Sequence, residues 1–188
     1  EIRAVADRAG LPMHLDGARL WNAYVATGVA LREYGELFET VNVCLSKGLG
    51  APVGSVLVGS QARIDAARVQ RKRLGGGWRQ AGMLAAAGLY ALEKNIARLA
   101  EDHASARGFA EAVALAIPGS VDPEKVPTNI VVVNVGERAA GDVVAAAAER
   151  GVRLSAVGGH LVRAVTHLDV TLDECREAGR LLGEVLTH

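Results

Sequence analysis

The sequence predicts an α/β chain, and three observations predict it. Residues 13–16 are a short apolar run ending in Asp16, and Gly17 then turns the chain into a helical pattern. Strand, turn and helix in that order is the unit of a parallel sheet. Residues 40–45 and 55–59 are two further strand runs, the first alternating Val41, Val43 and Leu45 against Asn42 and Cys44. The link between them is too short for a parallel crossover, which predicts an antiparallel pair. Beyond Pro118 the order reads strand, helix, strand, strand, helix, a small α+β layer with helices on one face.

Each element has its own signal. Residues 1–9 read as a helix end stopped by Gly10, the usual residue past a C-cap. Residues 18–26 and 30–38 are helical pieces broken near Gly28. Residues 61–73 form a helix with Arg63, Arg68, Arg71, Lys72 and Arg73, basic toward the end where the helix dipole favours cations. Gly75, Gly76 and Gly77 break it, and one long helical stretch is expected over 78–116. Its first half is apolar nearly all round, as in a helix buried inside a domain. Its second half carries a stripe through Leu99, His103, Ala106, Ala110 and Val113, on which His103 reads as a partly covered structural histidine. Pro118, Pro123 and Pro127 punctuate the passage to strand 129–135, helix 141–149, strands 152–156 and 161–166, and a closing helix over 171–187.

Composition narrows the class. Half of the 188 residues are hydrophobic, which excludes disorder. The 21 basic and 21 acidic residues cancel, which argues against nucleic acid or a membrane surface as the main partner. Cys44 and Cys175 stand far apart without metal-type spacing, so reduced thiols in a cytoplasmic protein are expected, with no metal. No apolar run reaches membrane-spanning length. The first residue is Glu1 and the opening already looks helical, so the chain reads as starting in mid-domain.

Two residues carry the chemistry. Lys47 lies in a loop of small residues, Ser46 to Gly54, between the two paired strands. A lysine at the mouth of a sheet is unusual, and desolvation there frees the neutral amine that a Schiff base requires. A surface lysine in a glycine-rich turn is the plain alternative. Asp16 sits at the carboxyl end of its strand, where open α/β sheets place ligands; a helix N-cap is its plain alternative. One helical crossover and one strand separate them, so acid and amine can stand at neighbouring strand ends. Pyridoxal phosphate chemistry needs that pair, a lysine for the Schiff base and a carboxylate for the pyridinium proton. Arg163 lies in an apolar strand, where a forked donor suits a substrate carboxylate or a structural ion pair.

The motifs His14-Leu15-Asp16-Gly17-Ala18-Arg19-Leu20, Ser46-Lys47-Gly48-Leu49-Gly50-Ala51-Pro52-Val53-Gly54-Ser55, Gly75-Gly76-Gly77-Trp78-Arg79-Gln80-Ala81-Gly82 and Arg163-Ala164-Val165-Thr166-His167-Leu168-Asp169-Val170 follow one another through the chain. In that order they resemble the low-specificity L-threonine aldolases, pyridoxal phosphate enzymes of the aspartate-aminotransferase fold (fold type I). The resemblance covers only the second half of such an enzyme. It implies an incomplete large-domain sheet over 1–117 and a small α+β domain over 118–188. It implies pyridoxal 5'-phosphate on Lys47, with Asp16 at the ring nitrogen. Arg19 and Arg163 would hold the substrate carboxylate, with Arg19, Lys72 and Arg79 in the cofactor region. A homo-oligomer, dimer or tetramer, with sites at subunit interfaces is implied as well. The expected activity is cleavage of L-threonine or L-allo-threonine to glycine and acetaldehyde. The alternatives are another enzyme of the same scaffold, β-eliminating or transaminating, or a silent fragment. The resemblance puts the phosphate cup and a ring-stacking histidine in the first half, so these residues alone are expected to be inactive.

Overall fold

The computed structural model describes residues 1–187. They form two compact units, Glu1–Ala97 and a second beginning at Arg98. The first holds α1 (Ile2–Ala9), β1 (His14–Gly17), α2 (Leu20–Thr27), α3 (Leu31–Glu36), β2 (Thr40–Cys44), β3 (Ser55–Gly59), α4 (Gln61–Arg73) and α5 (Gly82–Lys94). Its sheet has the order β1-β2-β3. β1 and β2 are parallel, with Asp16 opposite Asn42, and β2 and β3 are antiparallel, with Val43 opposite Val56. The short link therefore does what its length dictates.

Alternation sorts the residues of this sheet. Val41 and Val43 are buried with Leu20 against Leu15, Trp21, Leu31, Tyr34 and Phe38, so α2 and α3 cover one face. His14, Asp16, Thr40, Asn42 and Cys44 point to the other, where His14 Nδ1 and Thr40 Oγ1 lie 2.8 Å apart. The indole of Trp21 donates to the Cys44 carbonyl at 2.9 Å and ties α2 to the end of β2. Gly17 is required where β1 passes β2: a Cβ there would stand 2.6 Å from the Asn42 carbonyl oxygen.

The long helical stretch is two helices. α5 ends at Lys94, and a turn at residues 95–98 precedes α6 (Leu99–Ala116). Asn95 is a weak helix former that bonds readily to backbone elsewhere, and its Nδ2 donates to the Leu49 carbonyl at 2.7 Å. The apolar circumference of α5 is real, but these residues cover only part of it. Ala91 is 2% exposed, whereas Met83 is 86% and Tyr90 63%.

The second unit runs from α6 through a 3-10 turn (Pro123–Lys125), β4 (Ile130–Asn134), α7 (Ala140–Glu149), β5 (Ser155–Ala156) and β6 (Leu161–Val165) to α8 (Leu172–Thr187). Its antiparallel sheet has the order β4-β6-β5. Val131, Val133, Val162 and Ala164 point into a core shared with Phe109, Val113, Val143 and Leu182 from the helices. α6 and α8 cross closely because Gly179 leaves room; a Cβ there would stand 2.5 Å from the Phe109 carbonyl oxygen. The end of β6 is pinned by Thr166, whose hydroxyl donates to the Asp102 carbonyl at 2.6 Å. Asn129 Nδ2 donates in turn to the Thr166 carbonyl at 2.9 Å.

Candidate active site

Parallel pairing puts the carboxyl ends of β1 and β2 side by side. Asp16, next to last in β1, is exposed there. Its Oδ1 accepts the Ala18 N–H at 3.2 Å, which closes the turn into α2. Arg19, not Asp16, occupies the N-cap of α2, so the carboxylate serves a turn and keeps its other oxygen at the strand end. Arg19 follows directly, half-buried, and its buried Nε has no hydrogen-bond partner among the described residues.

Lys47 leaves the end of β2 on a loop folded over small residues. Gly48, Leu49 and Ala51 are buried, whereas Lys47 is half-buried. The loop closes through Gly50 N–H to the Lys47 carbonyl at 2.8 Å and Ala51 N–H to the Leu45 carbonyl at 3.0 Å. Gly50 takes φ 71°, the left-handed conformation that side chains disfavour. Asn95 holds the Leu49 carbonyl from the turn after α5, a support that no local pattern in residues 44–54 announces. His14 was also missed as a neighbour of the site, although a spacing of two from Asp16 places both on one strand face.

The first unit thus brings Asp16, Arg19 and Lys47 to one sheet end. Lys72 and Arg79 are both exposed, at the end of α4 and in the turn before α5. Arg163 belongs to the second unit, at the middle of β6. It faces away from the core, between Val132 on β4 and Ser155 on β5 in register. It is half-buried, and its Nε is buried without a hydrogen-bond partner among the described residues.

Within the first unit, the amine of Lys47, the carboxylate of Asp16 and the guanidinium of Arg19, with its unsatisfied buried N–H, are groups that a pyridine-aldehyde phosphate carrying an amino acid requires. An amine can condense with the aldehyde, a carboxylate can accept from a pyridinium N–H, and a guanidinium can bind an acid. On that observation the residues fit pyridoxal phosphate.

In sequence and fold the chain is similar to known proteins. Residues 1–137 match the model of the beta-eliminating lyase family. The chain is 46% identical over 167 residues to the low specificity L-threonine aldolase of Escherichia coli K12, covering 89% of this chain and 49% of that one. It is 40% identical over 177 residues to low-specificity L-threonine aldolase 1 of Arabidopsis thaliana, covering 93% and 49%. The chain therefore spans about half the length of these relatives. Among solved structures, a putative L-allo-threonine aldolase of Listeria monocytogenes superposes with TM-score 0.78 at 24% identity, over 98% of this chain and 54% of that one. A putative β-eliminating lyase/threonine aldolase from Exiguobacterium gives 0.75 at 23%. At these identities the structures establish the fold.

Proposed function

The chain belongs to the beta-eliminating lyase family, and from that premise we propose that it supplies the lysine, acid and arginines of a pyridoxal phosphate-dependent aldolase. The reaction is cleavage of L-threonine or L-allo-threonine to glycine and acetaldehyde. The observation that carries the proposal is the placement of Asp16 and of the Lys47 loop at the ends of adjacent parallel strands.

When bound, pyridoxal phosphate supplies an electron sink for the pair released at the substrate Cα. The chain's own groups do the rest. Lys47 offers the amine that holds the cofactor and gives way to the substrate amine. With the cofactor bound, Asp16 would accept the ring N–H and so favour the protonated nitrogen. Arg163 and Arg19 bind the substrate carboxylate by charged N–H donors, the first from a strand face and the second from a helix start. Such anchoring would set the orientation of the bonds at Cα, which is positioning and not bond chemistry. Lys72 and Arg79, exposed near a glycine break, add positive charge for the cofactor region in a homo-oligomer whose subunits share sites. The compartment proposed is the cytoplasm.

The family description gives β-elimination a place as second reading, since one scaffold serves several reactions. Product analysis separates the two: glycine and acetaldehyde for cleavage, ammonia and a keto acid for elimination. The assignment itself is tested in the complete enzyme by adding pyridoxal phosphate, trapping with borohydride and mapping the labelled peptide. The label is expected on Lys47, and a label on any other lysine overturns the site.

A further inference from the structure

Two side chains from outside the loop grip the main chain on either side of Lys47. The Trp21 indole donates to the Cys44 carbonyl at 2.9 Å, on the strand side, and Asn95 Nδ2 donates to the Leu49 carbonyl at 2.7 Å, on the far side. The grip matters because the loop has little restraint of its own. Gly50 and Gly54 take φ of 71° and 108°, conformations that bring no side chain with them to anchor the chain. Leu49 is 2% exposed, and no main-chain N–H of the described residues bonds its carbonyl. A buried carbonyl without a donor is costly, so the amide of Asn95 decides where this part of the loop rests. α5 brings it there. Gly88 and Ala91 are the buried residues of that helix, and Asn95, following at helical spacing, continues their face. A Cβ on Gly88 would stand 3.1 Å from Leu45 Cδ1, so the helix lies directly against the chain that leads into the loop.

We propose that Asn95 is a positioning residue for Lys47: by holding Leu49 it fixes the loop so that the amine meets the reacting carbon of the cofactor. The proposal rests on the role of Lys47 given above and adds a residue to it. A lysine side chain is long and flexible, and its end is placed no better than the main chain it leaves. Misplacing a reacting group by about 1 Å can cost about 100-fold in rate. The substrate carboxylate falls to Arg19 and Arg163 in that reading, so the loss belongs in kcat and spares KM. Trp21 grips the same segment, but it also packs against the buried face of the sheet with Val41 and Val43, so its removal would disturb the core. Asn95 is half-buried and stands just past the end of α5. There the grip can be released with the core left in place.

The test compares variants of the complete enzyme with pyridoxal phosphate and L-threonine. Asn95→Asp keeps the size of the side chain but puts an oxygen where the donor was. It should lower kcat about 100-fold with KM changed less than about threefold. Asn95→Gln, which keeps the amide on a longer arm, should recover part of kcat. Glu93→Gly, at an exposed position of α5, weakens the helix through backbone freedom alone. It should lower the denaturant midpoint and leave kcat unchanged. An unchanged kcat for Asn95→Asp, a loss in KM alone, or a matching fall in kcat for Glu93→Gly would overturn the proposal. A second readout needs neither turnover nor cofactor: acetylation of the cofactor-free enzyme, with Lys47 mapped against the exposed Lys125. The ratio of the two labels should change at least about threefold in Asn95→Asp and hold in Glu93→Gly. A borohydride label away from Lys47 removes the reading beneath the proposal and the positioning role with it. A label on Lys47 with an unchanged acetylation ratio sinks the positioning role alone.

Discussion

Replacing Asp102 by alanine is expected to destabilise the second unit by about 3 kcal/mol, the low end of the cost of breaking a buried ion pair. Asp102 has 1% side-chain exposure and meets Arg98, at 21%, through an Nη2–Oδ1 contact of 2.8 Å. Alanine would leave the largely buried guanidinium with only the exposed Glu101, 3.7 Å away, as counter-charge. The low end applies because the pair is only partly satisfied as it stands. Asp102 Oδ2 and Arg98 Nη1 are both buried with no hydrogen-bond partner among the described residues, so part of the burial cost is already borne by the native state. The same reasoning makes Arg98→Met with Asp102→Leu nearly neutral, because both charges then leave together. Amide exchange at Val131, Val133 and Val162, fully buried in that unit's sheet, reads its opening free energy residue by residue. A loss under about 1 kcal/mol for the alanine variant, or a double variant as weak as the single one, would refute the argument from uncompensated charge.

Gly17→Ala should cost about 1–3 kcal/mol as forced overpacking, since its Cβ would meet a backbone oxygen that cannot turn aside. Because that oxygen belongs to Asn42, opposite Asp16, weaker pyridoxal phosphate binding should accompany the lower denaturant midpoint. Arg163→Ala should weaken amino-acid binding by about 1.5–3 kcal/mol, the worth of a hydrogen bond to a charged group, with cofactor affinity retained in the assembled enzyme. Equal losses for both ligands in binding titrations would make the arginine structural. His103 is partly buried, and burial lowers its pKa below the usual 6.5. The unfolded chain therefore takes up the proton first, and stability should fall as pH drops through about 6.5. His103→Gln should flatten that slope in unfolding curves taken between about pH 5 and 7.

Much of the site was legible because its signals are local. Alternation in residues 40–45 predicted which side chains of β2 are buried, and the short link predicted the reversal of β3. Arg163, a lone charge in an apolar run, falls on the face away from Val162 and Ala164. What escaped depends on distant partners. The turn at 95–98 owes its Asn95 bond to a carbonyl far back in the chain, so a continuous helical pattern ran through it unmarked. The apolar circumference of α5 was readable, but which of its faces is covered depends on distant residues. The N-cap of α2 went to Arg19 because Asp16 bonds Ala18 across the turn, a choice between residues three positions apart that propensity does not resolve.

The bond from Asn95 to Leu49 also sets a clock. The two residues stand 46 positions apart, and at a synthesis rate of about 10 residues per second the first waits some seconds for the second to leave the ribosome. Through that interval β2 and β3 can already pair, while the loop bearing Lys47 lacks a donor to Leu49. On the proposed role of Lys47, the loop that would hold a pyridine aldehyde gains this support only after the end of α5. A nascent chain paused before Asn95 should react with carbonyl compounds less selectively at Lys47 than the released one.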